Sequence, residues 1–471
     1  MTKAINHFLI LSLLSRSFAD AKSEPQSESR HVDGGRCEDM RAGLSLNLRD
    51  VGLRRLDSGF SESPHITCLN LEDNDITYVC PSSFNSLPNL LYLNLARNHL
   101  SLGNFSNLDT LPRLRTLILD GNSLGEGVTL DFVNAFPELS YLYIRNCSIE
   151  DITSLLFAPR LLYLNLSSNI LGKSKLGFLD VVPATLTAID LAYNGIENLN
   201  ASSLSSVTRL RLDGNQFVRL CGKSYCSEAV LMLEGVTNLR WLSASNNALT
   251  SVDSDAFDDT ANIVHLDLSH NKINSIQKGT FEKLEELKYL SLEDNLLKTI
   301  PELCNLESLR HLQLAKNFLP AVNSDSFCQI ENLTFVDLSD NKIKFVEEGA
   351  LDKLVHLEIL KLSNNLLTTF SSSWLERLKN LRSLYVDGNR LKSLSDLGLA
   401  AVHMFAKLEH VYAQNNWIAQ LYTGSLLTEV RNQPNVTIQL FDFTSDVQKN
   451  LLSAESRKCD CSCNDNEIFF L

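Results

Sequence analysis

Apolar residues recur along this chain at fixed offsets from an asparagine: eight, five and three residues before it, and two after it. Ile263-x-x-Leu266-x-Leu268-x-x-Asn271-x-Ile273 is a clean copy. The asparagine returns at Asn74, Asn98, Asn122, Asn169, Asn194, Asn215, Asn247, Asn271, Asn295, Asn317, Asn341, Asn365, Asn389 and Asn416, and Cys147 replaces it once. The commonest spacing is 24 residues, within a range of 21 to 32. Offsets −8, −5 and +2 are apolar in all fifteen copies, and at −3 only Ala244 and Ala413 are reduced. Alternating apolar residues predict a short strand with one face inward. A single copy cannot bury that face, so copies must stack into one core beneath a parallel sheet. The chain then turns, and the backbone groups of the turn need partners. An asparagine amide, both donor and acceptor, can bond its own turn and the neighbouring one. Cys147 can do so only weakly, which predicts a tolerated soft spot.

These residues form the signature Leu-x-x-Leu-x-Leu-x-x-Asn/Cys-x-Leu, and over residues 66–418 the chain resembles the leucine-rich-repeat family. The resemblance implies an α/β solenoid, a horseshoe with a concave parallel sheet of about 15–17 strands and a cap at each end. Fifteen strands at ~4.8 Å make a sheet about 70 Å wide. Phe84, Phe257, Phe281 and Phe327, ten residues beyond their asparagines, resemble the convex-side phenylalanine of the extracellular 24-residue class.

The ends read differently from the repeats. Residues 1–19 have a charged start at Lys3, an apolar stretch and a small-residue site after Ala19, as a secretory signal does. Residues 20–36 are a polar leader, 37–65 an N-terminal cap containing Leu46-x-Leu48-x-x-Val51-x-Leu53, 66–435 the repeats, and 436–471 a C-terminal cap with a cysteine-rich tail. Within that cap residues 436–440 read as a last strand, and Ser445-x-x-Gln448 as the start of a short helix. No apolar run is long enough for a membrane span. Secretion into the extracellular space is the expectation, and the sequons at Asn104, Asn146, Asn165, Asn200, Asn332 and Asn435 suit it.

Composition sharpens this in two ways. The 471 residues carry 56 Asp+Glu against 42 Lys+Arg, a net charge of −14, which argues against nucleic acid as a partner. Eleven cysteines is an odd number for a secreted chain. Cys304 and Cys328 each lie 13 residues before the next asparagine, so a bridge between adjacent repeats is expected. Cys221 and Cys226 share one loop and could close a small ring. Cys37 has Cys68 or Cys80 as partner, and Cys147 should be a buried thiol. Cys459, Cys461 and Cys463 could bridge to a partner chain, or one could pair with an excess thiol nearer the N-terminus. Zinc there would need a fourth ligand and reducing conditions. No metal or cofactor is expected.

Catalysis finds no support in the motifs. Gly121-Asn122-Ser123-Leu124-Gly125 matches a nucleophile elbow, but Asn122 and Leu124 belong to the repeat frame. Gly222-Lys223-Ser224 resembles the end of a P-loop, yet Phe217 stands where its first glycine should be. The histidines read as surface residues on strands and loops. A non-catalytic binding protein remains, and the family resemblance puts ligands on the concave face. There the −6 offsets hold nine aromatic or His residues in fifteen, among them Tyr92, Tyr141, Tyr163, Trp241, His265, Tyr289, His311 and Phe335. Tyr143 joins the tyrosine end from offset −4. Arg209, Arg211 and Trp241 make the sharpest patch, beside the longest spacing, although Asp190 and Asp213 could simply neutralise the arginines. A glycan on Asn165 would cover the tyrosine end. Protein or glycan ligands fit such a face, and the secreted insect immune proteins of this repeat class offer a resemblance. A matrix, adhesion or guidance protein is the alternative.

Overall fold

A computed structural model describes residues 43–61, 63–101, 110–125, 129–131, 135–152, 154–156, 158–222, 229–369, 377–392, 396, 407–417 and 437–439. Seventeen short strands, from Leu44–Asn47 to Thr437–Gln439, form one parallel sheet. Each strand pairs with the next in sequence at the same repeat offset, as in Trp241↔His265, His265↔Tyr289, Tyr289↔His311 and His311↔Phe335. Offsets in the sequence are therefore rows across the sheet. The −8, −5, −3 and +2 side chains of the described repeats form one continuous core, and Phe84, Phe257, Phe281 and Phe327 are buried with them.

The asparagine row works as the turn requires. Asn271 places its Nδ2 within 3.0–3.1 Å of the carbonyls of Ala244, Leu268 and Ser269, and its Oδ1 accepts from Leu249 N at 3.0 Å. At Cys147 the acceptor is missing, and Leu124 N instead donates to the Cys147 backbone carbonyl at 3.0 Å. The thiol is buried and free, close to the carbonyls of Leu119 and Arg145 at 3.3 and 3.4 Å. Asn194 is the other irregularity: the chain enters a 3-10 turn at Leu171–Lys173, and the Asn194 Oδ1 is left buried without a partner.

The position before each asparagine has a second rule, not legible in the apolar pattern. All fifteen residues of that row have positive φ, from Arg97 at 51° to Gly121 at 71°. Asp, Asn, His and Gly, which tolerate the left-handed region best, fill most of it. A partial second asparagine row, Asn89, Asn238, Asn262, Asn332 and Asn380, donates to carbonyls of the preceding repeat at 2.7–2.9 Å.

The return path differs from the expected α/β character. Among the described residues it consists of turns, two-stranded ribbons and short 3-10 segments such as Gly177–Val181 and Ser202–Leu204, with almost no helix. A 24-residue unit leaves about a dozen residues to return, too few for a capped helix. The long spacing between Asn215 and Asn247 adds Arg219–Cys221 and Val230–Met232, which pair parallel with each other. Together with Leu199–Asn200 and Ser251–Val252 they make a separate four-stranded sheet. Gly222 follows the first of these strands, and the position admits only glycine because a Cβ there would lie 1.9 Å from Asp255 O.

Cys304 and Cys328 are bridged, with Cα atoms 4.9 Å apart. Cys68 and Cys221 are also disulfide-bonded, whereas Cys80 is free. Residues 1–36, Cys37, Cys226, Cys459, Cys461, Cys463, the sequons at Asn104 and Asn435, and the 445–448 capping box also lie outside them.

Candidate functional site: a ring ladder on the concave sheet

Because the register is constant, the −6 residues of consecutive repeats face one another at strand spacing. Trp241 and His265 stack with ring centroids 5.1 Å apart, His265 and Tyr289 at 4.1 Å, Tyr289 and His311 at 4.9 Å, and His311 and Phe335 at 4.0 Å. The rings of each pair lie within 18° of parallel. A cation closes each end. The Arg209 guanidinium lies 4.4 Å from the Trp241 ring centroid, and the Lys361 ammonium 5.2 Å from Phe335. Lys361 also reaches Tyr385, at 5.7 Å, and Tyr385 stacks on Tyr412 at 4.5 Å. Each stacked pair contributes roughly 0.5–1.5 kcal/mol beyond burial, and each exposed cation–π contact about 0.5–1 kcal/mol.

His265 and His311 are thus ordered, half-buried members of the ladder, whereas His65, His99, His270, His356 and His410 are exposed as the sequence suggests. Burial, with Arg209 adding to it, lowers His265 to about 4, and burial also lowers His311. Both imidazoles are neutral near pH 7. Gln313 Nε2 lies 3.1 Å from His311 Nε2, which places the ring proton on Nδ1. The Gln313 carbonyl accepts from the Tyr289 and Ser291 hydroxyls at 3.2 Å. Burial pushes the Tyr289 phenol up to about 12.

Arg211 differs from Arg209. Its Nε donates to Asp213 at 2.7 Å and its guanidinium pairs with Asp190 at 3.3 Å. Asp213 is itself fixed by Ser243 and by Ser245 N at 3.0 Å. Arg211 is therefore compensated by two carboxylates, while Arg209 caps the ladder. The inserted strands belong to the other, four-stranded sheet and do not extend this patch.

At the tyrosine end, Tyr143 and Tyr163 pack tilted, 5.2 Å apart, and Tyr141 lies in register with Tyr163. Asn165 is half-buried in the same sheet. Its Oδ1 accepts from Ser167 N at 2.9 Å and its Nδ2 lies 3.3 Å from the Tyr163 hydroxyl. Asn146, Asn200 and Asn332 are exposed. Lys361, Gln313, Tyr385 and Tyr412 were missed by sequence reasoning. They occupy offset −4, a column that shows its pattern only once the −6 rings are known to stack.

A family model described as leucine rich repeat matches residues 64–124, 237–297 and 331–391. Among curated protein sequences none matches. Solved structures share the fold. A leucine-rich-repeat protein of Leptospira interrogans has a TM-score of 0.58 at 22% identity, covering 84% of this chain and 95% of its own. YopM of Yersinia enterocolitica has 0.54 at 20%, covering 80% and 69%. The Toll–Spätzle complex of Drosophila has 0.59 at 19%, covering 78% of this chain and 50% of that one. At these identities the likeness is one of fold. The repeat frame, the single parallel sheet and these matches together show that the chain is built of leucine-rich repeats.

Proposed function

We propose that this chain is a secreted, non-catalytic recognition protein that engages a protein or glycan ligand on its concave face. The observation that carries this is the cation-capped ladder from Arg209 to Lys361, an ordered and partly exposed row on the sheet face where nothing in the repeat frame requires aromatic residues. Trp, Tyr and Arg in a pre-ordered cluster are the chemistry of interface hot spots. The leucine-rich-repeat fold is a binding scaffold, and the solved Toll–Spätzle complex is described as a hub in development and innate immunity. A role in innate immunity at the extracellular surface is consistent with that likeness and with the signal-like residues 1–19. Covalent pairing with a partner chain through Cys459, Cys461 and Cys463 belongs to the same reading.

Affinity capture from extracellular fluid, with and without reductant, tests it. Wild type should retain a partner that Trp241→Ala loses by about 30-fold or more in affinity. A partner released only by reductant would support the cysteine tail as the link. Equal capture by wild type and Trp241→Ala would remove the ladder from the binding surface. A matrix or adhesion role would instead appear as retention in extracellular matrix through surfaces that Trp241→Ala leaves intact.

A further inference from the structure

The ladder has two unlike margins. On the side where each strand begins, offset −7 holds Arg240, Lys288 and Arg310, the sequence neighbours of Trp241, Tyr289 and His311. All three are exposed, and among the described residues none has an acidic side chain within ion-pair distance. Glu286 and Glu307, further from the sheet, do not reach them. By contrast Lys316, on the same repeat as Arg310, and Arg211 and Lys361, at the two ends of the ladder, are paired. On the other side, offsets −4 to −1 hold Asp267, Glu293, Asp294, Asp337 and Asp340 against Lys316 and Lys361. Lys316 pairs with Glu293 at 2.8 Å and Lys361 with Asp337 at 3.3 Å, leaving that margin net negative. The surface is striped: free cations, ring edges, carboxylates.

The stacking decides what the middle stripe can offer. His265, Tyr289 and His311 have a neighbouring ring on both faces, so only ring edges meet solvent. A saccharide or base that binds an aromatic by stacking needs an open face. The edges instead carry partial positive charge and suit packing against side chains and carbonyls. A uniform polyanion fits the margins badly as well. It would gain at Arg240, Lys288 and Arg310, but a chain wide enough to cover the rings as well, roughly 10 Å across, would also lie against the Asp267 carboxylate and be repelled there.

We propose that the ligand of this face is a protein whose contacting surface is striped in the complementary order, an acidic row, then an apolar row, then a basic or neutral polar row. This rests on the concave-face reading above and chooses within it: a protein, not a sulfated glycan. The charge order also fixes orientation, since a ligand turned by half a revolution would set like charges against each other.

The full chain tests this with two probes, a randomised helical-scaffold display library and heparin. Binders are first sorted by loss of affinity on Trp241→Ala. Those sensitive to it should carry an Asp/Glu row and weaken about 100-fold on combined Arg240→Glu, Lys288→Glu and Arg310→Glu. Reselection on that variant should return a Lys/Arg row, and heparin should not bind at 0.15 M salt. The corresponding triple Gln variant, which removes the three charges without reversing them, should give an intermediate loss and guards against misfolding. Trp241-sensitive binders indifferent to charge reversal would overturn the striped ligand while leaving the concave site standing. Heparin binding abolished by both Trp241→Ala and the reversal would overturn it in favour of a glycan. If no binder of either kind responds to Trp241→Ala, the concave reading fails and this inference with it.

Discussion

Each asparagine of the row is a buried junction, and its removal is costly because it orphans groups in two repeats at once. Asn295 serves the carbonyls of Leu268, Leu292 and Glu293 and the amide of Ile273. Asn295→Ala should cost about 2–5 kcal/mol, measured by urea denaturation. Cys147→Asn is the converse experiment: the frame around it accepts Asn in every other repeat, so the variant should gain up to about 1 kcal/mol. The present thiol is inert as well, since burial pushes it up to about 12. His265 supplies a pH dependence with a definite sign. Its folded-state value, lowered to about 4 by burial and Arg209, lies below the ordinary 6.5, so between those values the unfolded chain binds more protons. Its stabilising contribution is complete above pH 6.5 and lost as pH falls toward 4. Denaturation midpoints should show that loss, and His265→Phe should flatten it within the window.

At the scale of elements, strand position was legible and return path was not. Period-two apolar pairs bury one face and leave little choice of register, which is why the seventeen strands follow the repeat frame. The segment between Asn215 and Asn247 has no such constraint in its spacing alone. Its length suggested an insertion beside Arg209 and Trp241, yet the added strands join a different sheet. Gly222 marks the place, through a close approach of backbone to backbone that no periodicity encodes. Gly222→Ala should therefore destabilise that sheet by about 1–3 kcal/mol. Hydrogen exchange should accelerate at Arg219–Cys221 and Val230–Met232 and leave Trp241–Ser243 unchanged. The site was half legible for a related reason. Aromatic residues at −6 can be counted in the sequence, but whether they splay or stack depends on rotamers. The end caps Arg209 and Lys361 come from different offsets.

For the whole molecule, the rows matter more than the individual repeats, because constant register converts composition at one offset into a continuous surface. The ladder carries a mechanical meaning in this respect. Two of its steps, 4.1 and 4.0 Å, are shorter than the ~4.8 Å between strands. At 4 Å carbon atoms are already at contact. The His265–Tyr289 and His311–Phe335 steps are therefore closed, whereas Trp241–His265 and Tyr289–His311, at 5.1 and 4.9 Å, are not. The ladder is thus two rigid ring pairs joined by looser steps, and a ligand pressing on this face would flex it between the pairs, not within them.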